Sequence, residues 1–348
     1  MKAAHLALVA STLVTTTTIA QAQDNICSKS AHRMYLSCRA DLEDELFEAR
    51  TRCLNIADPN NGQACREESM DDYFENWDRC RDQLAARREL CAEVGEAPYD
   101  MRDFWVQENF VDPDDIGGAV TPNPWFDLSV GSSGTFYGAG ETIHVEVTGE
   151  TKLVEGVRCR TVTDLVTEDG QVIEDTDDWY TQDLDGNVWY CGEISLNYEL
   201  YDGDDPEEAE LVDIDGSWKA FRDGAQPGVL LHASPEPGTT YRQEVAWGEA
   251  EDVASVLTVS AEGLLEGDEC EDEETTGAVA DYLDAMCDGD CLVTLEYTPI
   301  EPGVYAHKYY APGEGILAEV EDGDCVATEG VIAAGGDGDE GDDEEVDS

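Results

Sequence analysis

The sequence predicts an α+β protein: an N-terminal disulfide-stapled antiparallel helical hairpin, then a large antiparallel β-meander forming a curved sheet, half-barrel or barrel. Three observations carry that reading. Six cysteines in the first quarter of the chain are spaced as a palindrome. From about residue 119 onward, helical periodicity gives way to alternation broken by Asp-Gly turns. All 12 cysteines lie beyond an apolar N-terminal leader, the pattern of a disulfide-bonded exported chain.

The leader spans residues 1–22. Lys2 supplies its positive end, Leu6 to Ile19 is an apolar, Thr-rich run, and Ala20-Gln21-Ala22 offers small residues for cleavage. Cys27 lies four residues past Gln23, which argues against a lipid anchor. No later run is long and apolar enough to span a bilayer. The expected product is soluble, with no membrane span, and secreted or periplasmic. There is no C-x-x-C pair, and His32, His144, His232 and His307 are scattered, which speaks against zinc.

The hairpin occupies residues 23–95. Asp24 or Ser28 would cap a first helix carrying Met34, Leu36, Leu42, Leu46, Phe47 and Leu54 near helical spacing. Asp58-Pro59-Asn60-Asn61-Gly62 reads as a turn, and a second helix runs from about Gln63 to Glu93 until Gly95 and Pro98 end it. Cys27, Cys38, Cys53, Cys65, Cys80 and Cys91 are separated by 11, 15, 12, 15 and 11 positions. Steps of this size drift by only about 20° or 60° around a helix, so each helix keeps its three cysteines on one broad face. Folding at Asn60-Asn61 predicts Cys27–Cys91, Cys38–Cys80 and Cys53–Cys65. Tyr73, Phe74 and Trp77 recur at helical spacing, as core or as a docking stripe.

Residues 96–118, rich in Asp, Pro and Gly, read as a linker. The β region covers 119–333, with an acidic insertion at about 267–290, and a disordered acidic tail follows at 334–348. Asp169-Gly170 and Asp185-Gly186 are strong hairpin signals, and ten to twelve strands in order suggest a meander. With two central residues in each turn, Tyr180 faces Cys159 on one side and Cys191 on the other. Those cysteines would be about 9.5 Å apart at ordinary strand spacing, beyond the roughly 7 Å limit for a disulfide. They are therefore expected to bond elsewhere, one of them to the segment holding Cys270, Cys287 and Cys291. Cys325 and the rest of this second set stay unassigned. The same register puts Trp179 with Tyr190 on one face and Tyr180 with Trp189 on the other, so both faces should meet something apolar: core on one, domain packing or a ligand on the other.

Several strings in this region carry a resemblance. They are Asp178-Trp179-Tyr180-Thr181-Gln182-Asp183, Gly186-Asn187-Val188-Trp189-Tyr190 with Gly192-Glu193, Gly216-Ser217-Trp218, and His307-Lys308-Tyr309-Tyr310-Ala311-Pro312-Gly313. Over about 125–320 the chain resembles an uncharacterised family of exported bacterial β-domain proteins with no assigned function. The resemblance implies a secreted β domain and transfers no catalytic residue. The chain departs from the family's pattern at the acidic insertion.

Site candidates are few. Asp183, Asp185, Asn187 and Glu193 form a candidate calcium loop, but Gly186 and Ile194 stand where an EF-hand needs other residues. Trp179, Tyr180, Trp189, Tyr190, His307 and Tyr309 form a candidate ligand surface. His307 is the best lone acid–base group, on a strand with Tyr305 and Tyr309, where a packed histidine is the plainer reading. No G-x-S-x-G is present, so no catalytic residue is assigned. The 81 acidic against 19 basic residues give a net charge of −62, which disfavours nucleic acid and anionic membranes as partners. Such self-repulsion is screened at about 1 M salt, where the Debye length is roughly 3 Å, as in a salt-adapted organism. The expected function is a non-enzymatic binding or envelope-structural protein, its partner a small molecule or envelope component, with no cofactor unless calcium. The rivals are a calcium-dependent surface protein and a secreted hydrolase.

Overall fold

The computed structural model describes residues 25–332 except 202, 207, 271, 322, 329 and 330. The leader at 1–22 and the tail at 334–348 lie outside the described residues. Helices α1 (Ile26–Leu54) and α2 (Pro59–Val94) form the antiparallel hairpin. Its rungs are Cys27–Cys91, Cys38–Cys80 and Cys53–Cys65, the nested set that the spacing predicts. Apart from the cysteines, few of its side chains are buried, so the disulfides supply most of what an apolar seam would. The pentapeptide at 58–62 does not precede α2 but opens it. Asp58 is the N-cap, its Oδ1 accepting from the backbone N–H of Asn60 and Asn61 at 2.9 and 3.0 Å, and Pro59 takes the first helical position, where a missing N–H costs nothing. Phe74 is exposed, while Trp77 is covered by the Arg39 guanidinium 3.6 Å from its ring centre.

The rest of the chain builds an antiparallel, nearly closed, barrel-shaped sheet of 14 strands among the described residues. The first strands are β1 (Ser133–Gly138), β2 (Glu141–Val154), β3 (Val157–Glu168), β4 (Gln171–Gln182) and β5 (Val188–Glu199). Short strands β6 (Glu210–Asp213), β7 (Gln226–Leu231), β8 (Thr240–Arg242) and β9 (Glu244–Val245) follow. The last group is β10 (Val253–Ala261), β11 (Cys291–Tyr297), β12 (Ala306–Ala311), β13 (Gly315–Glu321) and β14 (Asp324–Thr328), with helix α3 (Glu273–Met286) between β10 and β11. Most neighbours in the sheet are neighbours in sequence, and β14 returns to pair with β1. The path starts at β8 and ends at β9, two strands separated only by Gln243, so one residue bridges its two ends.

Close approach at this junction requires a glycine. A Cβ on Gly228 of β7 would lie 2.4 Å from both the Arg242 and the Gln243 carbonyl oxygens, backbone atoms that cannot swing aside. Gly228→Ala should cost roughly 3 kcal/mol, a fall of about 6–12 °C in Tm by calorimetry. Gly277→Ala in α3, where nothing lies within 4 Å, is the control and should lower nothing.

Two expectations are corrected. First, Cys159 and Cys191 do bond to each other, with Cα atoms 6.7 Å apart. Pairing near the β3–β4 turn is Glu168 with Gln171, as expected, but a bulge at Val166/Thr167 moves the register so that Tyr180 faces Arg160. A second bulge, opposite Trp179/Tyr180, leaves Cys191 unpaired and sets Tyr180 opposite Tyr190. A bulge bends its strand and increases the local twist, so the flat-sheet spacing does not apply. Tyr180 and Tyr190 consequently share a face, stacked at 4.6 Å. Secondly, 96–118 is not a mere linker: Trp105, Phe110 and Ile116 are buried in the main core, and the Trp105 indole donates to the Val154 carbonyl at 3.0 Å. The acidic insertion holds α3, an element not read from the sequence, which packs Val279 and Leu283 in one cluster with Val293, Ala318 and Val320 of the sheet. Cys270–Cys325 and Cys287–Cys291 pin it there.

Candidate functional site

Strand alternation sends one side chain in two into the barrel. On β3 these are Val162 and Asp164. Val162 pairs with Asp178 of β4, and Asp178 with Glu193 of β5. Across the barrel, Lys308 of β12 lies between Thr294 of β11 and Glu319 of β13. The interior holds a cavity of about 500 Å³. Its apolar lining includes Phe126, Phe136, Ile143, Val145, Val147, Val162, Leu230 and Ile316. Its polar lining includes Asp164, Asp178, Glu296 and Glu319 with Lys308, Tyr180 and Tyr310, and the two are interleaved, Val145 pairing with Asp164 and Val162 with Asp178. Ser132, Ser133 and Gly134 with Asp127 and Glu314 also line it.

Electrostatics divide the polar residues of the lining into two parts. Lys308 Nζ lies 3.3 Å from Glu296 Oε2 and 3.5 Å from Glu319 Oε2. Burial opposes its charge, but these carboxylates more than offset that and hold the ammonium well above its ordinary range. Glu296 Oε1 also accepts from Thr294 Oγ1 at 2.8 Å and from the Tyr310 hydroxyl at 3.2 Å. This half is paired and satisfied. The other half is not. Burial pushes the Asp164 carboxyl up to about 6, with Glu174 adding to the effect, and its Oδ1 is shielded from solvent with no hydrogen-bond partner. Burial pushes Asp178 up to about 7, although the Tyr190 hydroxyl donates to its Oδ1. Beside Asp178 and outside the cavity lining, burial and the facing Asp178 push Glu193 up to about 8. Tyr180, stacked on Tyr190 and edge-on to Phe126 at 5.2 Å, closes this corner with its ring. Carboxyls held near neutrality in a cavity mark a functional-site candidate.

The residues singled out from sequence are dispersed. Tyr180 lines the cavity and Tyr190 backs it. Trp179 points elsewhere, beneath Lys152 and Lys219 at 3.9 and 4.7 Å. Trp189 is buried among Phe104, Trp105 and Phe110. His307 and Tyr309 lie outside the barrel, under the insertion. There His307 Nδ1 is 2.7 Å from Asp268 Oδ1, and the Tyr309 hydroxyl donates to the other oxygen of Asp268. These two residues fasten the insertion to β12.

The calcium loop does not assemble. The Asp183 side chain, almost fully buried, accepts from the Asp185 and Asn187 backbone N–H groups, from Asn187 Nδ2 and from the Trp189 indole, all at 2.8–2.9 Å. Its lone pairs are spent on the turn, while Glu193 faces the barrel interior opposite Asp178. Among the described residues no group of three or more His, Cys, Asp or Glu converges on a metal position.

Asp164, Asp178, Glu296, Lys308 and Glu319 were not singled out from sequence. One signal was present. Val162-x-Asp164-x-Val166 and Thr176-x-Asp178-x-Tyr180 put an acid where the alternation calls for a core residue. Comparison of the chain with protein-family models, with curated proteins and with solved structures finds no match.

Proposed function

We propose that this is an exported, non-catalytic binding protein that holds a small ligand inside its barrel. The observation that carries the reading is the cavity of about 500 Å³ whose lining combines many apolar side chains with a few charged and polar ones, the make-up of a small-molecule site. Its volume suits a compact organic molecule, not a polymer. Against a hydrolase, Ser132 and Ser133 are the serines among the lining residues and no histidine is among them, so the Ser–His pairing of a common nucleophilic site is not formed there. The net charge of −62 supports a setting rich in salt, where surface repulsion is screened.

The test is uptake of a neutral apolar fluorophore, N-phenyl-1-naphthylamine, by the purified chain at 1 M NaCl. It should bind one per molecule with enhanced, blue-shifted emission. Val145→Trp, which fills cavity space beside Asp164, should abolish uptake while leaving Tm within a few degrees. Fluorescence that is absent, or equal in the two proteins, would overturn the reading.

A further inference from the structure

We propose that the barrel selects a protonated amine with an apolar body, held by Asp164 and Asp178 while its hydrocarbon part lies against Phe126, Phe136 and Val145. This rests on the reading of the cavity as a ligand site and names the ligand's class.

Three observations point to a cation. Besides Asp127 and Glu314 in its loops, the lining carries Asp164, Asp178, Glu296 and Glu319 on its strands against the single ammonium of Lys308. That ammonium is already engaged by Glu296 and Glu319 at 3.3 and 3.5 Å, so it is not free to receive an anionic ligand. On the opposite strands Asp164 Oδ1 is buried and lacks a partner. A buried acceptor without a donor is costly, and a ligand N–H answers it. Burial holds the Asp164 and Asp178 carboxyls back from ionising, and an adjacent positive charge favours the ionised form again.

Other observations select an amine over a metal ion. The carboxyls are distributed along strands β3, β4, β11 and β13, and among the described residues none form a three-donor cluster. A metal ion would also leave the apolar side chains of the lining unused. An N–H donor satisfies Asp164, and the faces of Tyr180 and Phe126 suit a cation on an aromatic or aliphatic body.

The test uses three probes of nearly one shape: 2-phenylethylamine, 2-phenylethanol and 3-phenylpropanoate, titrated calorimetrically at pH 8 and 0.5 M NaCl. The amine should bind at least tenfold more tightly than the alcohol, and the carboxylate should not bind. Asp164→Asn should lower amine affinity about tenfold and leave the alcohol unchanged. Equal affinity for amine and alcohol, or preference for the carboxylate, would overturn the assignment. Failure of all three would too. If N-phenyl-1-naphthylamine still enters, the barrel remains a ligand carrier and only the amine class is wrong; if it does not, both fall together.

Discussion

Arg87→Ala should lower the thermal midpoint by roughly 10 °C. Arg87 reaches from α2 to Glu251, just before β10, with Nε to Oε2 at 2.8 Å and Nη2 to Oε1 at 2.7 Å. Its side chain is 4 % exposed and that of Glu251 is 0 % exposed. The Gly248 N–H donates to the same carboxylate at 2.9 Å. Removing the guanidinium leaves a carboxylate buried without its counter-charge, which costs about 3–5 kcal/mol, and each kcal/mol is worth about 2–4 °C in a chain of this size. The pair itself is a different matter. Two charges taken out of water recover little net energy, so Arg87→Met combined with Glu251→Leu should regain most of the loss. Calorimetry of the two variants decides this. A single variant that melts within 3 °C of the parent would show that the hairpin is not anchored through Arg87.

Stability should fall as pH rises from about 4.5 to about 8.5, the reverse of the usual behaviour of a protein whose carboxylates are salt-bridged. The sign follows from the direction of the shifts. Asp164, Asp178 and Glu193 are raised in the folded protein to about 6, 7 and 8, whereas unfolded carboxyls titrate near 4. Between those limits the folded state binds more protons than the unfolded state, so the slope of unfolding free energy against pH is negative. Stability is whole below about pH 4 and is lost progressively up to about pH 8. Ionising one carboxyl held off to about 7 rather than about 4 costs the folded state on the order of 4 kcal/mol. Asp178 and Glu193 face each other, so they titrate as a pair, and their costs do not simply add. The measurement belongs at 2 M NaCl, where repulsion among exposed carboxylates is screened but the buried ones still count. A fall in Tm of about 10 °C is expected, with Asp178→Asn flattening the slope because its amide oxygen still accepts from Tyr190 and cannot ionise. A Tm that is flat or climbs over this range would mean that the interior carboxyls are well solvated.

The hairpin was legible because its information is local. Cysteine spacing on a helix reports angle directly, and an antiparallel partner must mirror it. The Asp169-Gly170 turn was legible for the same reason: positive φ at both positions is what Asp-Gly supplies. The bulges were not legible. Each inserts one residue where strands from elsewhere in the chain dictate it, and one residue is enough to exchange the neighbours of Tyr180 and bring Cys159 to Cys191. Helix α3 was hidden because its Ala-Val-Ala and Tyr-Leu runs sit in acid-rich sequence, and its buried face depends on contacts with β13 and β14. The cavity carboxyls were hidden by abundance. Among 81 acids, only the phase of a strand separates an inward Asp178 from its outward neighbour Asp177, and that phase depends on the bulges.

The pairing of β1 with β14 also sets an order of assembly. Phe136 lies opposite Thr328, a separation of 328 − 136 = 192 positions. In the hairpin, the rungs close over 12, 42 and 64 positions. Short-range contacts form early, and contacts between distant positions form late and slowly. The hairpin can therefore mature while the barrel is still an open sheet with its carboxyls in water. Only when the last strand arrives does the interior shut, and the desolvation of Asp164, Asp178 and Glu193 falls due at that final moment. The chain's slowest step and its most pH-sensitive one are then the same event.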